Sequence, residues 1–321
     1  MRRVVCFGEA LIDFLNTGQE LADGAAHKVF TQFPGGAPAN AAVAAAKLGA
    51  DAAFAGQVGD DPFGTFIIDA LERYGVDTSL TLVHPDAPTA LAFVFLDANG
   101  ERSFSFRRDR TADVVMTEQQ VGSDWFVGRP ILHFCSNTLT DAHIAGVTRY
   151  VVDQARSGEA TISFDVNLRH NLWPRGVADA EAVNNLVRQS DVVKFSKDEL
   201  DFLCGGDRDA YLESAFAAGL KAALVTDGPG DIEVATAESR STVSPPATDV
   251  VDTTGGGDAF IGAVLYGLSL QDDVTEFLLN VDRLTSLVAS AARCGAIAVS
   301  RKGAFPSFPT FDDVANTWSV Q

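Results

Sequence analysis

The chain has 321 residues, of which 46% are apolar and 21% charged, a balance that fits a globular protein and excludes an intrinsically disordered one. Its formal net charge of −19 repels polyanions, so nucleic acid is not an expected partner. No apolar run reaches the roughly 20 residues that cross a bilayer, which leaves no expected membrane association.

The opening Met1-Arg2-Arg3 leads straight into the apolar run 3–7, with Glu9 and Asp13 soon after. That pattern reads as a first strand and not as a secretory signal, so a cytoplasmic location is expected. Cys6, Cys135, Cys204 and Cys294 fall at no metal or disulfide spacing and read as isolated thiols. Beyond the first strand, short β-branched or aromatic runs alternate with stretches of helical period. The helix 38–48 stops at Gly49, and the run 52–58 precedes a helix from about 62 to 74. Strand 131–134 is followed by helix 140–156, strand 160–165 by helix 177–188, strand 191–195 by helix 197–203, and strand 222–226 comes last. Such alternation predicts an α/β fold, a mostly parallel sheet with helices on both faces.

Two stretches break the alternation. Residues 11–33 read as polar turns without a helix. Residues 90–107 read as a hairpin about the turn Asp97-Ala98-Asn99-Gly100, since Asn and Gly tolerate positive φ. A small antiparallel sheet there would serve as a lid and would offer an apolar face to a second subunit, so a homodimer through the lid is expected.

The segment Asp252-Thr253-Thr254-Gly255-Gly256-Gly257-Asp258 runs into the small-residue helix Ala259–Gly267. Glycines let backbone N–H groups converge, and a helix N-terminus favours an anion there. Asp258, in the first helical turn, could take a proton from an attacking hydroxyl while those amides stabilise a transferring phosphoryl group. The helix dipole is expected to keep Asp258 ionised. A flexible loop with a capping Asp remains the alternative. A dinucleotide fingerprint and a Walker lysine motif are both absent, which disfavours an NAD-dependent dehydrogenase and a P-loop enzyme. A second segment, Gly35-Gly36-Ala37-Pro38-Ala39-Asn40, opens an Ala-rich helix, and Asn40 can both donate to and accept from a polyol.

These two segments resemble the paired signatures of the ribokinase and PfkB family of sugar kinases. The similarity runs from Gly8-Glu9-Ala10-Leu11-Ile12-Asp13 to Arg301-Lys302-Gly303-Ala304. Within the family the chain is most similar to bacterial fructokinases, through Gly59-Asp60-Asp61-Pro62-Phe63-Gly64, Ser163–Arg169 and Leu172-Trp173-Pro174. The resemblance implies a three-layer ribokinase-like domain over 1–321, with a lid formed by about 11–33 and 88–112 that closes over the sugar. It implies ATP-dependent transfer of the γ-phosphate to a sugar hydroxyl, D-fructose first, with 2-keto-3-deoxygluconate or ribose as alternatives. A sugar-sensing protein of the same fold is the reading outside catalysis.

By the same resemblance, Asp13, Gly36, Asn40, Arg108 and Arg169 would hold the sugar, and Gly255, Gly256 and Gly257 would form the anion hole beside the base Asp258. Ser196 and Glu199 would organise Mg2+ and phosphates, and Thr226, Gly228 and Gly230 would form the nucleotide loop with Gly257. Asp252, Thr254, Ala298, Arg301, Gly303 and Ser307 would enclose K+. Four departures stand out: Gly256 where relatives carry Ala, Val166 for Pro, Arg107 for Tyr, and a short loop at Thr226–Asp231 that brings an acid near the phosphate path. Lys194 reads as a solvated strand end, and His133 and His170 as structural or solvent-facing.

Overall fold

The computed structural model describes residues 1–96 and 102–319. The predicted turn Asp97–Gly100 lies outside the described residues. The strands are β1 (Val4–Phe7), β2 (Leu11–Ala22), β3 (Ala25–Gly35), β4 (Ala52–Gly59), β5 (Thr81–His84), β6 (Ala90–Leu96) and β7 (Arg102–Arg107). They continue with β8 (Ile131–Cys135), β9 (Thr161–Asp165), β10 (Val192–Ser196), β11 (Ala222–Thr226), β12 (Ile232–Ala235) and β13 (Arg240–Val243). The helices are α1 (Ala37–Leu48), α2 (Pro62–Arg73), α3 (Ala142–Ser157), α4 (Ala180–Val187) and α5 (Lys197–Cys204), then α6 (Arg208–Ala218), α7 (Gly256–Ser269), α8 (Val274–Leu279), α9 (Val281–Val299) and α10 (Phe311–Val314).

Nine strands form one sheet in the order β13-β12-β11-β10-β9-β8-β1-β4-β5. From β11 to β5 neighbouring strands are parallel, and β12 and β13 add an antiparallel edge. Burial follows from that pairing. Alternate residues of β1 enter different cores, Val4 and Cys6 on the face covered by α1, α2, α7 and α9, Val5 and Phe7 on the face covered by α3 to α6. A strand covered on both sides must be apolar throughout, as Val4-Val5-Cys6-Phe7 is. The chain runs outward from β1 to β4 and β5, then returns to β8 and runs outward the other way. The strand order therefore reverses between β1 and β8, and in open α/β sheets the ligand crevice lies at the carboxyl ends of such a pair.

The stretch predicted as polar turns, 11–33, is instead the hairpin β2–β3, paired from Leu11↔Gly35 to Ala22↔Ala25 with a register shift between Asn16 and Gly18. Its two-residue turn is Asp23-Gly24, with φ of 52° and 77°. Asp-Gly is a strong hairpin signal, hidden here by the polar outer half of both strands, which is exposed. β2 also pairs in parallel with β6, and β6 pairs antiparallel with β7, so a second sheet has the order β3-β2-β6-β7. Its side chains alternate. Asp13, Leu15, Phe33, Val94 and Phe106 line a cavity on one side. Phe14 stacks on Phe93 on the other side, with Phe30 edge-on to Phe93 and Phe95.

Helices α1 and α7 approach most closely where Gly262 faces Ala41, Ala44 and Ala45; a Cβ at 262 would overlap the Ala44 methyl and press on the Ala41 carbonyl. Gly262→Val is therefore expected to lower the unfolding free energy by about 1–3 kcal/mol through overpacking, measured by denaturant melting against wild type. An unchanged midpoint would show that the two helices separate without cost.

Candidate active site

Helix α7 begins at Gly255, whose φ of 76° suits glycine, and no side chain caps its first amides. The unpaired N–H groups of that turn are thus open to an anion. Asp258 sits one turn in. Helix α1 begins at Gly36, with φ of 105°, where a Cβ would collide with the Glu9 carbonyl. Because the two helices pack so closely, their starts meet: Asn40 Nδ2 donates to Asp258 Oδ2 at 2.7 Å. Two glycine-led helices more than two hundred residues apart in the chain thus converge on one carboxylate.

Two cavities flank that loop. The first, of about 390 Å3, is lined by Asp13, Gly36, Asn40, Arg169, Asp252, Thr254, Gly255, Asp258 and Gly303 among others. The second, of about 590 Å3, is mostly apolar and lies between Thr226, Gly228, Pro245–Thr248, Gly256, Gly257 and the last turns of α9. Thr253 borders both. A polar chamber and an apolar one, joined across uncapped amides, suit a polyol, an aromatic base and a phosphate chain between them.

Burial raises the Asp258 pKa to about 6, and the nearby Asp165 adds to the rise; the Asn40 hydrogen bond, Lys194 and Arg169 oppose it. Burial therefore outweighs the helix dipole in setting the pKa, but not by enough to discharge the group. The group remains mostly ionised at neutral pH, and its basicity is better matched to proton abstraction there than that of an ordinary carboxylate.

Lys194 is not a solvated strand end. It is buried, and its ammonium lies 3.0 Å from Asp165 Oδ1. A Cβ added at Gly257 would stand 3.4 Å from that nitrogen, so the cation sits beneath the glycine loop. Burial opposes its charge, but Asp165, Glu199 and Asp258 more than offset this and raise its pKa. The signal was present in Val192-Val193-Lys194-Phe195: a charge inside a buried parallel strand requires a partner.

Other positions divide. Arg108 does not line the cavity. Its Nε lies 2.5 Å from Asp113 Oδ2 and its Nη1 donates to the Asn137 carbonyl at 2.8 Å, both behind the cavity wall. Glu199 caps α5 with Ser196, and its two oxygens accept the Ser196 and Leu168 N–H groups. Neither residue lines a cavity. Thr226 and Gly228 line the apolar chamber, whereas Gly230 does not. Both acids of that loop have partners of their own: Asp227 pairs with Lys197 at 3.0 Å, and Asp231 accepts from the Ser244 hydroxyl at 2.6 Å.

Asp252 accepts from Thr254 N at 2.8 Å and Gly303 N at 3.0 Å, tying the loop before α7 to the loop after α9. The Ser307 hydroxyl donates to the Ala304 carbonyl and the Ala298 carbonyl accepts from Arg301 N, while the Arg301 side chain pairs with Asp313. The departures also have local reasons. Val166 N–H donates to the Lys194 carbonyl at 3.0 Å, a bond Pro could not make. A Cβ at Gly256 would stand 2.6 Å from Val299 Cγ1. Arg107 is exposed, bonded to Ser105 and Phe106, and does not reach the cavity. His133 is buried and its ring bonds Ser163; burial first, then Lys194, hold its pKa down near 3.

Comparison with known proteins defines the class. The pattern of pfkB family carbohydrate kinases matches residues 1–310, and the chain belongs to that family: it is a sugar kinase. It is 38% identical to probable fructokinase-7 of Arabidopsis thaliana, covering 98% of this chain and 92% of that protein. The crystal structure of Xylella fastidiosa fructokinase with bound ATP superposes with a TM-score of 0.91 at 38% identity, over 98% of this chain and 97% of the other. A Vibrio cholerae fructokinase variant, crystallised with fructose, ADP and potassium ion, gives 0.88 at 34% identity, over 99% of both chains.

Removing Arg108 tests its placement. Arg108→Met leaves Asp113 buried without its cation, and breaking a buried pair in this way costs about 3–5 kcal/mol. Calorimetric unfolding should register that loss. Unchanged stability would place Arg108 at the ligand instead.

Proposed function

We propose that the chain transfers the γ-phosphate of ATP to a primary hydroxyl of D-fructose, with Asp258 as general base. The observation that carries this reading is the convergence of Asn40 and Asp258 at uncapped amides between a polar and an apolar chamber. In this reading the sugar lies in the polar chamber against Asp13, Gly36, Asn40 and Arg169. Asp258 takes the hydroxyl proton, and the first amides of α7 receive the charge of the transferring group. Lys194, beneath Gly257, adds a fixed positive charge on the same side. The sheet β3-β2-β6-β7 forms the outer wall of the chamber, and its closing over the sugar would exclude water.

Charge favours a neutral sugar over 2-keto-3-deoxygluconate. Glu9, Asp13, Asp252 and Asp258 line the polar chamber against Arg169 alone among its lining residues. A sugar acid would meet net repulsion there; Arg107 does not reach the chamber, and the Arg108 charge is already engaged by Asp113 and Glu9. Ribose remains the neutral rival. A coupled assay over fructose, ribose and the sugar acid ranks the three, and equal turnover of the acid and fructose overturns the ranking. ADP formation that ignores every sugar would instead favour a sensor of the same fold.

Mg2+ would neutralise charge on the phosphates. Glu199 would act on it through water, because both its oxygens already accept backbone N–H groups. For K+, the Asp252 carboxylate holds the loops of Thr254 and Gly303 together, and the carbonyls of Ala298, Arg301 and Gly303 with the Ser307 hydroxyl are the proposed donors. Replacing potassium by tetramethylammonium should lower the rate; an unchanged rate removes the cation from the scheme. A homodimer through the small sheet is supported by its half-buried aromatic outer face, Phe14, Phe30, Phe93 and Phe95. A cytoplasmic location is supported by four cysteines that are all free.

Asp258→Asn should reduce kcat by about 10^2- to 10^4-fold while sugar affinity, read by calorimetry, is largely kept. A variant with wild-type kcat would remove Asp258 as base. The active form is the carboxylate, so kcat/KM should be level above about pH 7, reach half its plateau near the Asp258 pKa of about 6, and fall about tenfold per pH unit well below that. Asp165→Asn deletes the neighbouring negative charge, lowers that pKa and moves the limb to more acid pH. A limb that stays in place would show that Asp165 does not act on the base.

A further inference from the structure

The floor of the polar chamber carries a polar pair that the proposed chemistry does not use. Glu9 follows β1 and Asn137 follows β8, the two strands between which the sheet order reverses. They are 2% and 6% exposed, and both line the chamber. Asn137 Nδ2 donates to Glu9 Oε1 at 2.9 Å, and the same oxygen accepts from Ala37 N at 3.2 Å. Among the described residues, the hydrogen-bond partner of Oε2 is the Cys135 thiol, at 3.8 Å. The Asn137 backbone is fixed as well, since its carbonyl accepts from Arg108 Nη1 at 2.8 Å and Thr140 Oγ1 at 2.9 Å.

This arrangement settles which way the amide points. Turned over, Asn137 would set its oxygen against the Glu9 carboxylate, two acceptors with no proton between them. The carboxylate therefore holds the amide with Nδ2 inward to Glu9 and leaves Oδ1 over. Oδ1 is buried without a hydrogen-bond partner. Such an orphan costs about 1–3 kcal/mol until a donor reaches it. The same device occurs at the reacting end, where the Asp258 carboxylate takes Asn40 Nδ2 and Asn40 Oδ1 is likewise buried and unpartnered. Two carboxylate-oriented asparagines that line one chamber thus each keep a buried acceptor without a partner.

We propose that Asn137 is a specificity-determining residue that accepts a hydrogen bond from a non-reacting hydroxyl of the acceptor sugar, and that Glu9 is the positioning residue that fixes its amide. The inference rests on the polar chamber being the sugar site. It assigns the chamber a preference for ligands that bring hydroxyl donors to its floor. A ligand with a methylene at that point leaves the acceptor unsatisfied, which is a strong ground for rejection. Arg108 acts at one remove, by anchoring the Asn137 backbone from behind.

The test compares wild type, Asn137→Ala and Glu9→Gln on fructose and on analogues that each lack one hydroxyl. Asn137→Ala should lower kcat/KM for fructose by about 5- to 150-fold, chiefly through KM. One deoxy analogue should be used equally well by variant and wild type, because the interaction is already missing, while the remaining analogues lose the full factor. Glu9→Gln lets the side chain donate, allows the amide to turn and should reproduce the same analogue pattern. ATP affinity and melting temperature, measured alongside, should change little in Asn137→Ala. A uniform loss across every analogue, or no loss on fructose, overturns the role of Asn137. Full activity of Glu9→Gln overturns the role of Glu9. If wild type rejects fructose, the fructose reading fails by itself, and the same variants on whichever neutral sugar is phosphorylated decide the Asn137 question.

Discussion

The close packing of α1 on α7 is the constraint on which the site depends. A helix pair can bring its axes this near only where one side lacks a side chain, and Gly262 against Ala44 supplies that point. Everything at the reacting centre follows from it. The two helix starts lie side by side, Asn40 reaches Asp258, and the uncapped amides of α7 face the junction of the two chambers. The apolar character of α7 all round, buried from Ala259 to Ser269, has the same origin, since it is enclosed by α1, α9 and the sheet. The meeting of Asn40 and Asp258 is thus a by-product of core packing.

Electrostatics within the site are opposed to those of the whole molecule. The chain carries a net charge of −19, yet its proposed ligand includes a polyphosphate. Local devices resolve the conflict: amides at a helix start, a lysine held beneath them by Asp165, and Arg169 on the chamber wall. The carboxylates serve different ends. Asp165 sustains a cation and raises the base; Asp252 ties two loops; Glu199 closes a cap. Asp258, at the start of α7, is the one proposed to take a proton.

The inner strands of the parallel sheet were legible because both faces are covered, so they read as mostly apolar runs, broken by buried polar residues such as His133, Asp165 and Lys194. Helix limits were legible where chemistry marks them, as at Gly49 after α1 and Pro62 at the start of α2. The hairpin β2–β3 was not, because half of each strand is exposed and neither period appears; only Asp23-Gly24 announced it. Edge strands β12 and β13, at four residues each, are too short for periodicity to find. Within the site, the glycine segments were legible as paired signatures, whereas Asn137 and Glu9 were not. Their relation comes from adjacent strands far apart in sequence, and nothing local distinguishes an asparagine after β8 from a turn residue. Arg108 misled for a different reason: a hairpin end predicts reach, but Asp113, close by in sequence, decides the direction of the guanidinium.

One contact couples two distant segments by volume. Val299 of α9 fills the space that a methyl group at position 256 would need. An alanine at 256 would press on Val299 Cγ1, so the last turn of α9 would have to give way before the loop that starts α7 could carry any side chain there. Because Val299 and Gly256 also border the apolar chamber, bulk added at one position and removed at the other would reshape that chamber's wall while keeping its packing filled.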